Sequence, residues 1–306
     1  MTTATNQTQL NSSIGGTKNF YNWNFSDKQY QIVYETIGEG NPVLLLPAFS
    51  TVSSRTEMKA IANRLATQYQ VTVLDWLGFG ESQCPPVDYN RALFQQLLED
   101  FIKSIFNSPI ILIAAGHASG YALKFAQDNP NISQLILIAP TWQGPLRVMG
   151  LPDGVRNGVK NLVRSPVVGQ GLYYLNTTPS FLRLMYKRHV YVDETKLTPE
   201  FIAQKHQITS KPGARYAPAA FVTGAIDPVA NREEFLQLLD FRSIPVLIIL
   251  AENAPPKSKA EMEAMAELNQ VQIVRLEGTL GIYEEYPEAV TEAMNNFLNY
   301  LDYSFL

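Results

Sequence analysis

The 306-residue chain holds one cysteine and three histidines, and each shortage excludes a class of chemistry. With Cys84 alone, an internal disulfide is impossible and a reducing compartment is the expectation. Cys84 precedes Pro85-Pro86 with no histidine nearby in sequence, a poor setting for a nucleophilic thiol. His117, His189 and His206 are too dispersed for a metal cluster, and no H-E-x-x-H, C-x-x-C, Walker or dinucleotide-binding glycine pattern occurs. Neither a metal nor a cofactor is expected. Basic runs are also missing: 24 Lys and Arg against 28 Asp and Glu leave a net charge of −4, which argues against a nucleic-acid partner. The one dense basic stretch, Lys187-Arg188-His189 after Arg183, reads as a solvated helix face. No segment reaches the roughly 18 consecutive apolar residues of a membrane span, so no transmembrane segment is expected. Residues 1–18, rich in Thr, Asn, Gln and Ser, have no basic start followed by an apolar run. They read as a mobile tail on a cytoplasmic protein.

Hydrophobic residues make up 46% of the chain, enough for one large core. Short apolar runs bounded by turn residues alternate with longer amphipathic stretches, the pattern of a mostly parallel, doubly wound α/β sheet. Val43–Leu46, Val71–Leu74, Ile110–Ile113, Leu135–Ile138, Val246–Leu250 and Val271–Leu276 read as buried strands, and Tyr30–Thr36 as an outer one. Helices are expected at about 54–67, 90–106, 119–129, 258–268 and 287–301. The alternation fails between 144 and 230, where aromatic clusters and isolated Gly and Pro replace apolar runs. That stretch reads as a helical cap inserted into a core formed by 19–143 and 231–306, over the sheet edge where open α/β sheets bind ligands.

Three loops leave the strands where chemistry belongs. Ile110–Gly120 is a strand running through Gly116-His117-Ala118-Ser119-Gly120 into a helix. It resembles the G-x-S-x-G nucleophile elbow of the α/β-hydrolases. Leu44-Leu45-Leu46-Pro47-Ala48-Phe49 stands where that superfamily has a strand followed by His-Gly, and Asp75–Ser82 is similar to its D-x-x-G-x-G-x-S loop. With Glu285-Tyr286-Pro287, the resemblance runs from about 28 to 302 and implies an α/β-hydrolase fold of the capped esterase, epoxide hydrolase and dehalogenase kind.

The same resemblance implies that the Ser–acid–His triad is gone. It places Ala118 at the nucleophile, Ala254 of Ala251-Glu252-Asn253-Ala254 at the acid, and Leu280 of Thr279–Pro287 at the histidine. No histidine follows His206. A methyl group cannot attack a carbonyl, and losing the triad costs roughly 10⁴ or more in rate. Ser119 reads as a helix-start hydroxyl whose backbone N–H, with that of Phe49, faces the site. His117 is expected to pack aside, and Trp142 to line the pocket under the cap. Asp227, Glu284 and Glu285 could act as acid–base groups, but read more simply as cap-base or helix-start residues.

These residues point to a catalytically degenerate homologue, a pseudoenzyme that binds a hydrophobic small molecule or a protein partner through Phe49, Ser119, Trp142 and His117. The competing expectation is a hydrolase or cofactor-free lyase with an unconventional catalytic residue. An assignment of activity from the fold would be analogy.

Overall fold

The computed structural model describes residues 13–127, 129–239, 244–268 and 271–304. Eight strands form one sheet in the order β1-β2-β4-β3-β5-β6-β7-β8. They are β1 (Thr17–Phe25), β2 (Lys28–Ile37), β3 (Asn41–Leu46), β4 (Tyr69–Leu74), β5 (Ile110–Ala115), β6 (Ile132–Ile138), β7 (Val246–Ala251) and β8 (Gln272–Leu276). The pairs β1–β2 and β2–β4 are antiparallel and all others are parallel. In β5 and β7 every residue is buried, as strands covered by helices on both faces require.

Flanking the sheet are α1 (Lys59–Leu65), α2 (Arg91–Ile105) and α3 (Ala118–Ala126). The segment between β6 and β7 is helical: α4 (Pro145–Val148), α5 (Asp153–Arg164), α6 (Val168–Leu175), α7 (Pro179–Met185), α8 (Pro199–Thr209), α9 (Tyr216–Val222) and α10 (Arg232–Gln237). After β7 come α11 (Pro256–Ala266), α12 (Ile282–Glu285) and α13 (Pro287–Ser304). Helix α2 shows how sequence sets such an element. Asn90 caps it by accepting from Leu93 N at 3.0 Å, and Leu93, Phe94, Leu97, Leu98, Phe101 and Ile102 form its buried stripe. Burying those six side chains contributes on the order of 10 kcal/mol before chain entropy is counted.

The start of the chain departs from expectation. Residues 1–12 of the expected tail lie outside the described residues, but Ile14 is fully buried and Thr17–Phe25 pairs with β2 along its length. The strand thus starts inside the expected tail, at Thr17, and asparagines interleave with aromatics along the rest of it, residues 19–25. Its inward residues still count: Trp23 is buried and donates Nε1–H to Asp100 at 2.9 Å, while Tyr21 meets Phe101 of α2 edge-on at 5.6 Å.

Where the helical segment joins the sheet, Asp227 ties its two ends together. Its carboxylate accepts from Gly144 N at 2.8 Å and Arg147 Nη1 at 2.9 Å. Asp227, read from the sequence as a cap-base residue, thus bonds the start of this helical segment to its end.

Candidate functional site

Strand β5 turns into α3 through a single left-handed residue, Gly116, at φ +50°. Its carbonyl accepts from Ser119 N and Thr141 N, both at 3.1 Å. A Cβ built on Gly116 would meet Ala48 Cβ at 3.0 Å, so the bend faces the loop after β3. His117 follows in right-handed geometry (φ −67°, ψ −23°) and Ala118 is already the first residue of α3, fully buried. The apex of the turn therefore falls on Gly116, two residues before Ala118, the residue expected to occupy it.

The physical reason lies in the flanks. They need only small side chains, which Ala114 and Ala118 supply, while the apex itself needs a residue that tolerates positive φ. Gly120 answers to a different neighbour: a Cβ there would lie 2.3 Å from Pro228 Cγ. An apex at Gly116 and an apex at Ala118 give opposite signs for Ala118→Gly. Gly116→Ala should destabilise by about 1–2 kcal/mol, because a left-handed alanine is strained and its methyl crowds Ala48. Ala118→Gly should also destabilise, by about 0.5–1 kcal/mol, as a glycine does within a helix. With Ala118 at a left-handed apex the second change would stabilise instead, and thermal unfolding of the two variants separates the cases.

Ser119 does not serve the site as expected. Its N–H is used inside the turn, and its buried hydroxyl donates to Ala114 O at 3.3 Å. His117 is buried, with Nε2 3.2 Å from Ile226 O and 3.4 Å from Asp227 Oδ1. Burial pushes its pKa below the ordinary histidine value, against the pull of Asp227. The imidazole is held as a neutral packing group, edge-on to Phe49 at 6.0 Å and to Phe221 at 5.3 Å. Phe49 is itself buried, stacked on Trp76 at 4.9 Å. Trp142 belongs to another neighbourhood: its Nε1–H donates to Glu261 at 3.2 Å, Arg147 sits 5.1 Å over its ring, and Phe235 lies at 6.2 Å. So Phe49 and His117 are neighbours, Ser119 is turned into the backbone, and Trp142 packs against α10 and α11. The four expected ligand-binding residues do not converge on one pocket.

The other two loops are held together by Asn253, whose N–H donates to Gly278 O at 2.8 Å and whose Oδ1 accepts from Gly278 N at 3.0 Å. Ala254, buried, and Leu280, half-buried against the core, follow these anchors. Beside Leu280, Gly281 donates N–H to Val190 O at 3.1 Å, and a Cβ on it would stand 2.5 Å from Val190 Cγ1. The inserted helices thus rest directly on this loop.

Two buried ionic networks were not read from the sequence. In the first, Arg55 donates its backbone N–H to Asp75 Oδ1 at 2.6 Å and its Nε–H to Glu35 at 2.9 Å, and its remaining nitrogens bond Asp75 and Glu81. Burial opposes the guanidinium charge, but Asp75, Glu81 and Glu35 outweigh it and hold Arg55 ionised beyond its ordinary range. The Asp75–Ser82 loop is explained by this network. Asp75 Oδ1 would lie 2.1 Å from a Cβ on Gly80, and Ser82 Oγ donates to Asp75 O at 2.7 Å while accepting from Val33 N at 2.8 Å. Its residues build a scaffold.

In the second network Lys205 of α8, almost wholly buried, lies 2.7 Å from Glu284 and 3.5 Å from Glu57, and Tyr283 donates to Glu57 at 3.1 Å. Burial, with a smaller push from Glu284, raises the Glu57 carboxyl to about 7 against the pull of Lys205. Glu284, one of the expected acid–base candidates, belongs here. Glu285 instead accepts from Val192 N at 2.9 Å and Asp193 N at 2.7 Å, pinning the inserted helices to α12. Between the Arg55 network and α8 a cavity of about 140 Å³ opens, lined by Arg55, Thr56, Glu81, Gln204 and Lys211. It is smaller than the roughly 300–1,000 Å³ chambers that take up drug-sized ligands.

Comparison with known proteins places this geometry. The sequence model described as the Alpha/beta hydrolase family matches residues 43–293. A curated relative, the 2-hydroxy-6-oxo-6-(2'-aminophenyl)hexa-2,4-dienoic acid hydrolase of Metapseudomonas resinovorans, is 22% identical over 229 residues, covering 68% of this chain and 76% of that protein. A bromoperoxidase from Bacillus anthracis superposes with a TM-score of 0.71 at 18% identity, over 92% of this chain and all of the other. A thermophilic esterase from Thermogutta terrifontis gives 0.70 at 22% identity, over 92% of this chain and 98% of the other.

Proposed function

We propose that this chain, which belongs to the Alpha/beta hydrolase family, is a catalytically degenerate member that acts by binding a hydrophobic small molecule or a protein partner. The observation that carries the reading is the bend at Gly116, whose apex bears no side chain. With the nucleophile position moved from Ala118 to Gly116, the family's three catalytic positions become Gly116, Ala254 and Leu280. None can attack, hold a proton or orient an imidazole. Ser119 offers no substitute, since its hydroxyl is buried and bonded to Ala114.

A serine-reactive fluorophosphonate probe should leave the protein unlabelled. Turnover of a panel of esters and lactones should not exceed the 10³–10⁴-fold over water that survives loss of a triad. Stoichiometric labelling at Ser119 would overturn the reading.

A second reading has one observation in its favour. Glu57, with a carboxyl poised near neutrality beside Lys205 and Tyr283, has the acid–base character of a cofactor-free lyase or unconventional hydrolase. Substrate turnover that falls at least 100-fold in Glu57→Gln, with thermal stability retained, would establish it over the first.

A further inference from the structure

Nine of the ten large apolar side chains left exposed by the described residues lie between Met149 and Val192, the tenth being Phe20 of β1. Helix α5 contributes two of them. Its cations point inward, Arg156 Nη1 and Arg164 Nη1 donating to Thr223 O and Val87 O at 2.6 Å and Lys160 pairing with Asp88 at 3.3 Å. Its outward stripe is Val155 and Leu162, about half exposed. The chain then projects Val167, 83% exposed, and Val168, and the end of α6 adds Tyr174 and Leu175 at 62% and 63%. A segment that turns its α5 cations inward and leaves Val155, Leu162, Val167, Val168, Tyr174 and Leu175 in solvent carries an apolar surface of the kind that partners cover.

The charge pattern says by what. Residues 154–192 contain six Lys and Arg and no Asp or Glu, in a chain with 28 acidic residues. Residues 144–230 hold eleven basic against five acidic residues, and the rest of the chain thirteen against twenty-three. Exposed Arg183, Lys187 and Arg188 flank the exposed Leu184. Lys187 pairs with Glu194 at 2.7 Å, a surface pair easily exchanged for another anion. An apolar projection with the exposed Arg183, Lys187 and Arg188 on the same helical segment complements an anionic interface with an apolar interior.

We propose that the α5–α7 face docks on an anionic lipid bilayer, with Val167, Val168 and Leu175 entering the headgroup–acyl boundary. Among the described residues no helix is long and apolar enough to cross a membrane, so the contact is peripheral. It stands whether or not the chain turns over a substrate.

Flotation of the full chain with phosphatidylcholine vesicles, pure or containing 30% phosphatidylglycerol by mole, tests this directly. Binding is expected to the anionic vesicles and to be lost in V167D/L175D. Neutralising Arg183, Lys187 and Arg188 to Gln should weaken it on the order of 100-fold, at about 1 kcal/mol for each cation near the surface. All five side chains are exposed, so unchanged thermal unfolding confirms that the variants fold. Equal binding to both vesicle types, or unimpaired binding by V167D/L175D, would overturn the proposal. So would a concentration-dependent oligomer that V167D/L175D converts to monomer while wild-type protein ignores vesicles, since the face would then cover a second copy of the chain.

Discussion

Arg55→Ala is expected to cost about 3–5 kcal/mol, a large part of the 5–15 kcal/mol that holds a typical domain together. The reason is what remains behind. Asp75 and Glu35 have side chains no more than 1% exposed, and without the guanidinium both carboxylates are charges in the interior with their principal counter-ion removed. Asp75 also orders the loop that reaches Ser82, through its bond from Glu81 N at 2.8 Å, so the β4 end of the sheet should loosen with it. Glu35 holds the start of the described chain, accepting from Ile14 N at 2.8 Å. Arg55→Lys should recover only part of the loss, since an ammonium cannot reproduce the forked contacts to three carboxylates. Urea unfolding followed by circular dichroism measures both variants. A loss below 1 kcal/mol for the alanine variant would mean that the network contributes little.

The core strands were legible because they are continuous apolar runs bounded by turn residues: Val43–Leu46, Ile110–Ile113 and Val246–Leu250 all lie inside strands. Strand β1 was not, since its aromatic and polar residues alternate on an edge that is half in solvent. The elbow was recognisable as a loop but misread by two residues. Two glycines four apart look like flanks, and only φ shows that Gly116 is the apex while Gly120 makes room for Pro228. Trp142 was placed at the right strand end, yet a sequence cannot say that its indole would turn to Glu261. The Lys205 cluster left no local signal, because its partners Glu57 and Glu284 stand 148 and 79 residues away. Charge asymmetry between residues 144–230 and the rest was present in the sequence. It gained meaning only when the folded chain showed Arg183, Lys187 and Arg188 exposed beside Leu184.

Lys205→Ala should destabilise the protein in a manner that depends on pH, by about 3–5 kcal/mol at pH 9 and much less at pH 5. Burial raises the Glu57 carboxyl to about 7, while Lys205 holds it down. A raised carboxyl pKa means that the folded state binds the proton more tightly than the unfolded chain, so stability falls as pH rises from the ordinary Glu value toward 7 and then levels. Removing Lys205 takes away the downward pull, so the folded pKa climbs and the fall continues to higher pH. At pH 5 Glu57 escapes the penalty by staying protonated; at pH 9 it is ionised beside Glu284 without its counter-ion. Lys205 itself adds no slope in this range, because its pKa is raised and its contribution is lost only above the ordinary lysine value. The Glu57→Gln change should flatten the wild-type decline, and combined with Lys205→Ala it should remove much of the excess loss at pH 9. Urea unfolding of the four proteins at pH 5, 7 and 9 supplies the comparison. A cost of Lys205→Ala that is equal at all three values would show that the cluster does not hold a titrating carboxyl, and the acid–base reading of Glu57 would go with it.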